Sequence, residues 1–112
     1  MPHLILEYTK NLDAEIKSKQ LLEKAHGVML DSGLFNPEAV KSRTRCLEEY
    51  LLGTKKEGTS FIHIAVALLE GRTLEQKKEL SKAISACIKN EFANLGSVSV
   101  EIRDMDKASY SK

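Results

Sequence analysis

Pro2 is the first residue that could do chemistry, and it stands directly behind the initiator Met1. Initiator methionine is commonly removed before a small residue, proline included, and its removal here would leave a secondary amine at the chain terminus. If that amine is buried beside cations, its pKa falls, because desolvation and like charge both disfavour the protonated form. An amine with such a pKa is suited to take a proton from carbon. The alternative is that Pro2 only begins an edge strand.

Arg72 is a second candidate, because it follows Gly71 and immediately precedes Thr73 at the predicted start of a helix. Thr73 and Gln76 have the spacing of a capping box. A guanidinium beside free helix N–H groups and the positive end of the helix dipole is suited to bind an anion. The alternative is an ordinary surface arginine in a loop between a strand and a helix.

Three further cations, Lys41, Arg43 and Arg45, alternate along a predicted strand over Val40–Leu52. Strict alternation places all three side chains on one face of that strand. Such a row could recognise a carboxylate, or it could be a solvated strand face.

The other reactive side chains do not form a recognisable metal or nucleophile site. Cys46 and Cys87 lie far apart in apolar-periodic segments, which predicts buried free thiols. The histidines His3, His26 and His63 do not cluster with them at metal-ligand spacings. We therefore expect no metal and no cofactor, and we expect His63 to be a packed, hydrogen-bonded histidine rather than a base.

The elements that must position these residues follow the order βαββαβ. Leu4, Leu6 and Tyr8 alternate as a first strand, and Asn11 or Asp13 could cap the helix behind it. Gly33 is suited to end that helix. The later elements are a strand over Val40–Leu52, a turn over 53–58, a strand over Phe61–Leu69, a helix from Thr73 through Phe92 and Leu95 to Gly96, a strand over Val98–Ile102, and a polar tail over Asp104–Lys112.

This order predicts a single α+β domain over residues 1–112, built from two similar halves at 2–52 and 60–103. Each half is a parallel crossover unit, which is right-handed in nearly all cases. Both helices therefore lie on one face of a four-stranded mixed sheet. The other face of the Phe61–Leu69 strand is also largely apolar, which predicts an oligomer interface. The alternative is a mildly apolar solvent face on a monomer.

Composition limits the function classes. The 112 residues include 17 Lys and Arg against 16 Asp and Glu, and this balance argues against a duplex-binding surface. The longest apolar run, Ile64–Leu69, is far shorter than the roughly 20 residues that a membrane span needs. No secretory signal pattern develops after Met1, so a cytoplasmic location is expected by default. A chain this small has room for one core, so a pocket is expected to need a second subunit.

Several short segments resemble, in order and spacing, the 5-carboxymethyl-2-hydroxymuconate isomerase family of the tautomerase superfamily. The resemblance covers nearly the whole chain and rests on Met1–Glu7, Ser32–Phe35, Lys41–Arg43, Phe61–Ile64 and Glu70–Glu75.

The resemblance implies a βαββαβ fold, a homotrimer and a cofactor-independent isomerase that transfers a proton in the breakdown of aromatic acids such as homoprotocatechuate. The implied substrate is a small anionic carboxylate, an unsaturated 2-hydroxy di- or tricarboxylate such as 5-carboxymethyl-2-hydroxymuconate. Pro2 matches the catalytic base, Arg72 matches an active-site arginine, and Arg43 matches the second arginine of an Arg-Ser-Arg motif. Lys41 replaces the first arginine, which keeps the charge but loses the bidentate fork that grips a carboxylate.

A different class of function stays open from the sequence. The chain could be a non-catalytic oligomeric protein with the tautomerase fold, or a ferredoxin-like module that binds a small ligand or a partner.

Overall fold

A computed structural model describes residues 1–54, 59–91 and 96–112 of the chain. The described residues form the predicted order of strands and helices. The bounds are β1 His3–Thr9, α1 Ser18–Asp31, β2 Lys41–Leu47, β3 Phe61–Leu69, α2 Leu74–Glu91 and β4 Ser97–Met105. Within the part of the chain that the structure describes, no helix is long and apolar enough to cross a bilayer.

The four strands form one mixed sheet in the order β2-β1-β3-β4. The central strands β1 and β3 are antiparallel, whereas β2 runs parallel to β1 and β4 parallel to β3. Each parallel pair begins in the same way: the Lys41 N–H donates to the Pro2 carbonyl (3.1 Å), and the Ser97 N–H donates to the Ser60 carbonyl (3.4 Å). The first of these hydrogen bonds fixes Pro2 at the start of a central strand.

The core lies between the sheet and the two helices, so both helices cover one face of the sheet, as predicted. Alternate residues of the central strands point into this layer, because side chains along a strand alternate between its faces. Its buried members include Leu4, Leu6 and Tyr8 of β1, Ile62, Ile64, Val66 and Leu68 of β3, Leu21, Ala25 and Met29 of α1, and Leu80, Ile84 and Ile88 of α2.

The strand predicted over Val40–Leu52 was too long, since β2 ends at Leu47. The reason is its partner: Thr9, the last residue of β1, pairs with Leu47. Beyond that point none of the strands in the described part of the chain offers the β2 backbone a partner. Tyr50 instead packs edge-on against the Phe61 ring, with 6.3 Å between the ring centroids.

The first helix was predicted to be capped at Asn11 or Asp13, and this was wrong. Residues Lys10–Ala14 form a short 3-10 helix, and α1 begins only at Ser18. The Asn11 side chain does not cap a helix: its Oδ1 accepts from the Thr9 hydroxyl (2.7 Å), and its Nδ2 donates to the Thr59 backbone carbonyl (2.8 Å). Both polar groups of the Asn11 side chain are used in these hydrogen bonds, so they are not available to cap the helix.

Two other predictions need correction. The last strand continues past Ile102 to Met105, because β3 offers pairing partners as far as Leu69. Cys46 is exposed and Cys87 is only partly buried, so the free thiols are not both core residues. Cys46 lies near the end of β2, at the edge of the sheet, where no strand covers its outer side. Lys55, Lys56, Glu57, Gly58, Phe92 and Leu95 lie outside the described residues.

Candidate active site

The N-terminal amine is surrounded by positive charge. Its pKa lies below the ordinary value of 8.0, first because of partial burial and then because of the charges on Lys112, Arg72 and Lys41. Pro2, the next residue, is buried. The fold therefore brings together Pro2, Lys41 and Arg72, which are far apart in the sequence, at the start of β1.

Arg72 is held in place by backbone carbonyls from two segments. Its Nη2 donates to the Leu34 carbonyl (2.7 Å), and its Nη1 donates to the Leu69 carbonyl (3.2 Å). The guanidinium also lies over the Phe35 ring, 5.1 Å from its centroid. A guanidinium has five N–H donors, so these two bonds leave others for a ligand.

The loop that carries Arg72 is fixed by the helix that follows it. The Thr73 N–H donates to the Gln76 side chain (2.8 Å), and the Gln76 N–H donates to the Thr73 hydroxyl (3.1 Å). This is the predicted capping box. It places Arg72 immediately before the N-terminus of α2, where the helix dipole favours an anion.

The three cations of β2 share one face of the strand, as the alternation predicts, but they have different neighbours. Lys41 pairs with His3 at the start of β1. The Arg43 Nη1 lies 3.2 Å from the His3 Nδ1. Arg45 lies further along and forms an ion pair with Glu7 (3.8 Å). Lys41 is thus the β2 cation whose charge acts on the terminal amine, and Arg43 occupies the next place along the same face.

His3 links Arg43 to the chain's last segment. Arginine has only donors, so the His3 Nδ1 accepts from Arg43 and the ring proton lies on Nε2. That Nε2 then donates to the Tyr110 hydroxyl oxygen (3.1 Å). Burial and the charges of Arg43, Lys41 and the terminal amine lower the pKa of His3 below 6.5. The ring is therefore neutral at physiological pH, as the bond from Arg43 requires.

Sequence reasoning missed the segment after β4. It was predicted to be a polar tail, but it folds back towards the N-terminus and places Tyr110 and Lys112 at the site. The one sequence signal that could have found it is the isolated aromatic Tyr110 in an otherwise polar stretch.

His63 lies elsewhere on the open sheet face and is the packed, hydrogen-bonded histidine that we predicted. Its ring nitrogens bond to Ser99 (2.6 Å) and Glu101 (2.5 Å). Hydrogen bonds from Arg103 and His63 lower the pKa of Glu101 to about 2. Arg103 donates to both oxygens of that carboxylate. The cluster therefore links the side chains of β3 and β4 on this face.

The 5-carboxymethyl-2-hydroxymuconate isomerase family model matches residues 2–112 of this sequence. The chain belongs to that family. It is therefore an isomerase with the tautomerase fold, and both the family and the fold agree with the sequence resemblance.

A 5-carboxymethyl-2-hydroxymuconate Delta-isomerase of Escherichia coli is 24% identical over 95 residues, which cover 85% of this chain and 75% of the relative. A probable tautomerase of Streptococcus pneumoniae is 44% identical over 48 residues, which cover 42% of this chain and 80% of that protein.

Two solved structures superpose closely on this isomerase. A 5-carboxymethyl-2-hydroxymuconate isomerase from Deinococcus radiodurans has a TM-score of 0.88 and 35% identity, over 99% of this chain and 87% of that one. A fused 4-OT that forms a symmetric trimer has a TM-score of 0.78 and 17% identity, over 98% of this chain and 90% of that one. At that identity the second similarity shows the fold alone.

Proposed function

We propose that this chain is a cofactor-independent isomerase that moves a proton along an unsaturated 2-hydroxy di- or tricarboxylate, with Pro2 as the base. The substrate class is that of 5-carboxymethyl-2-hydroxymuconate. The observation that carries the proposal is the terminal amine, here on Met1, whose pKa is lowered by burial and then by the charges of Lys112, Arg72 and Lys41.

Removal of Met1 improves this arrangement. The amine then belongs to Pro2, one residue further into the fold, and Pro2 is buried whereas Met1 is only half-buried. Deeper burial lowers the pKa of an amine further, because it disfavours the cation. A buried amine has a larger unprotonated fraction at neutral pH than the same amine in water, and only the unprotonated form accepts a proton.

The reaction is a transfer of one proton with no net change in atoms. The Pro2 nitrogen takes the proton from the 2-hydroxy group, so that an O–H bond breaks and an N–H bond forms. The electron pair moves through the conjugated system as the C2 carbonyl forms. The prolinium then returns the proton to a carbon further along, which forms a C–H bond and shifts the C=C bond.

The cations have separate tasks in this reaction. Arg72 and Lys41 hold the carboxylate next to the hydroxyl and stabilise the charge that develops on the enolate. Arg43 lies two residues beyond Lys41 on the same face of β2. We assign it to the carboxylate that is further from the hydroxyl. Lys41 supplies charge without a bidentate fork, so Arg72 sets the orientation of the nearer carboxylate.

We further propose that the working unit is a homotrimer in which neighbouring copies complete the site. We assign the contact between copies to the sheet face opposite the helices, because several of its apolar side chains are only partly buried within one chain. They are Ile5, Phe61, Ala65, Ala67 and Leu69. A structural neighbour with this fold forms a symmetric trimer.

The proposal is tested by ultraviolet assays of 2-hydroxymuconate and 5-carboxymethyl-2-hydroxymuconate ketonisation. We expect Pro2→Ala to lower kcat by about 10²- to 10⁴-fold, the usual contribution of a positioned base. Pro37→Ala is the matched control, because Pro37 begins a 3-10 helix on the loop before β2. Full activity of Pro2→Ala, or an intact mass that includes Met1 in an active enzyme, would refute Pro2 as the base.

A further inference from the structure

The segment after β4 is hydrogen-bonded beside the proposed site, and a second contact brings it close to Gly71. The Lys107 N–H donates to the Glu70 carboxylate (2.9 Å), and the Lys107 Nζ lies 3.4 Å from the place where a Cβ on Gly71 would stand. Glu70 and Gly71 directly precede Arg72. The segment is therefore attached to the loop that holds the proposed anion-binding arginine.

A turn in this segment then directs Tyr110 towards β1. The Tyr110 N–H donates to the Asp106 carbonyl (3.1 Å). The Tyr110 ring meets the His3 ring edge-on, with 6.5 Å between centroids and 66° between planes. The contact joins residues 107 positions apart, so it depends on the fold of the whole chain.

The proton positions give the tyrosine hydroxyl a free donor. Arg43 donates to His3, and His3 donates to the Tyr110 oxygen, as described above. The phenol hydrogen is not used in that chain of bonds and can be donated to an anionic oxygen. An arginine and a hydroxyl donor that are connected through one imidazole are suited to bind a carboxylate by hydrogen bonds to its negative charge.

The backbone of Arg43 lies further along β2 than the backbone of Lys41. Lys41 acts on the terminal amine, whereas Arg43 pairs with Ile5, two residues further along both strands. Two residues of a strand span about 6.5 Å. From there the Arg43 guanidinium turns back to His3 on the sheet face that it shares with Lys41. A diacid with one carboxylate at Arg72 can extend its second carboxylate over this face towards Arg43 and Tyr110.

We propose that Tyr110, His3 and Arg43 form a distal subsite that recognises the second carboxylate of a diacid substrate. Within it Tyr110 is a positioning and specificity-determining residue: it holds His3 against Arg43 and offers its hydroxyl to the ligand. The inference rests on the proposed function, because it assumes that the acid's reacting end lies at Pro2.

The test compares the binding of two unreactive acids, trans,trans-muconate and sorbate, by NMR titration. They share a dienoic acid skeleton, but sorbate carries a methyl group where muconate has its second carboxylate. We expect the intact enzyme to bind muconate at least about tenfold more tightly, since a hydrogen bond to a charged group contributes about 1.5–3 kcal/mol. Tyr110→Phe should remove most of that preference and leave sorbate binding unchanged. Tyr50→Phe, which loses a hydroxyl on a ring that packs against Phe61, should keep the preference.

Kinetics with 2-hydroxymuconate provide the second readout. Tyr110→Phe should raise KM about tenfold and leave kcat unchanged, because the distal contact is made equally in the ground and transition states. An unchanged muconate preference in Tyr110→Phe, or equal binding of both acids by the unaltered enzyme, would overturn the subsite. If the unaltered enzyme prefers muconate but ketonises neither hydroxy acid, the subsite stands and the proposed reaction fails.

Discussion

At the scale of single residues, positive charge at the start of β1 lowers the pKa of two titratable groups. The terminal amine and His3 both have a lowered pKa, and in both cases the causes are burial and neighbouring cations. For the amine, the lowered pKa increases the unprotonated fraction at a given pH. For His3, it keeps Nδ1 unprotonated, so that Nδ1 can accept from Arg43.

Arg43→Gln should raise the pKa of His3 towards 6.5, because Arg43 is the nearest charge that opposes protonation. The other groups that face His3 are Lys41, the terminal amine and the neutral Tyr110, and all of them remain. An NMR titration of the imidazole signals measures the shift, with His26 and His63 as internal references. A His3 pKa that stays the same or falls would contradict the electrostatic argument.

The same lowered pKa sets the direction of a pH effect on stability. A histidine whose pKa is lower in the folded state stabilises the fold fully above 6.5, its ordinary value. That contribution is lost as the pH falls through the folded-state pKa, because protonated Nδ1 can no longer accept from Arg43. His3→Gln should reduce this loss between pH 7 and 5 in chemical denaturation experiments. An identical pH dependence in both proteins would refute the assignment.

Arg72 combines a charge with a structural clamp, and Arg72→Lys separates the two roles. The lysine keeps the positive charge beside the amine but cannot bridge the Leu34 and Leu69 carbonyls in the same geometry. We expect the free energy of unfolding to fall by about 1–3 kcal/mol, while the pKa of the terminal amine stays near its unaltered value. A large rise in that pKa would mean that the clamp, and not the charge, tunes the amine.

At the element scale, the start of β4 depends on a close backbone approach at Gly96. Its φ is +75°, and a Cβ there would stand 2.6 Å from the Ser60 carbonyl oxygen. Ser60 also anchors the first N–H of β4. Alanine at this position would therefore strain the backbone and push β4 away from β3.

Gly96→Ala should destabilise the protein by more than about 1 kcal/mol, since alanine is penalised where φ is positive. Gly27→Ala is the matched control: Gly27 lies inside α1, and a Cβ there meets nothing within 4 Å. That control should stabilise the protein by about 0.5–1 kcal/mol through helix propensity. Thermal or urea unfolding measures both, and equal effects of the two substitutions would contradict the structural reason.

The strands and helices show how much of the fold could be predicted from the sequence. Alternation located β1 and β3 well, because both are central strands with one face in the core. The end of β2 could not be predicted, because it depends on where its partner β1 stops. The start of α1 could not be predicted either, since Asn11 bonds to Thr59 from a distant segment.

The candidate site also combines features that depend on local sequence with features that depend on distant segments. Pro2 and Arg72 stood out by local context, one behind the initiator methionine and the other before a capping box. Which of the β2 cations begins beside His3 depends on the register of β1 and β2, which pairs Lys41 with His3. The role proposed for Tyr110 needed the return of the last segment to the N-terminus, for which the isolated aromatic in a polar stretch is the one local signal.

At the scale of the whole molecule, the open sheet face connects the fold to assembly. Its centre is apolar and small, with Ala65 facing Ile5 across the central strands, and its edges carry the charged residues of β2 and β4. A surface of this kind fits a neighbouring copy better than water.

Ala65→Arg should prevent assembly, because it places a charge in the middle of the proposed interface. Ala83→Arg, on the exposed side of α2, should leave assembly intact. Sedimentation at micromolar concentration should give a trimer for the unaltered chain and for the control, and a smaller species for Ala65→Arg. A monomeric unaltered chain would exclude the proposed shared site.

The central claim is that a prolyl amine with a lowered pKa begins this chain, and ¹⁵N-proline NMR tests it most directly. The sequence contains only two prolines, and the nitrogen of Pro37 is an amide that does not titrate. We predict that the Pro2 nitrogen titrates as a secondary amine with a pKa below 8.0, the ordinary value for a chain terminus. A Pro2 nitrogen that behaves as an amide, or an amine with a pKa at or above 8.0, would contradict the account.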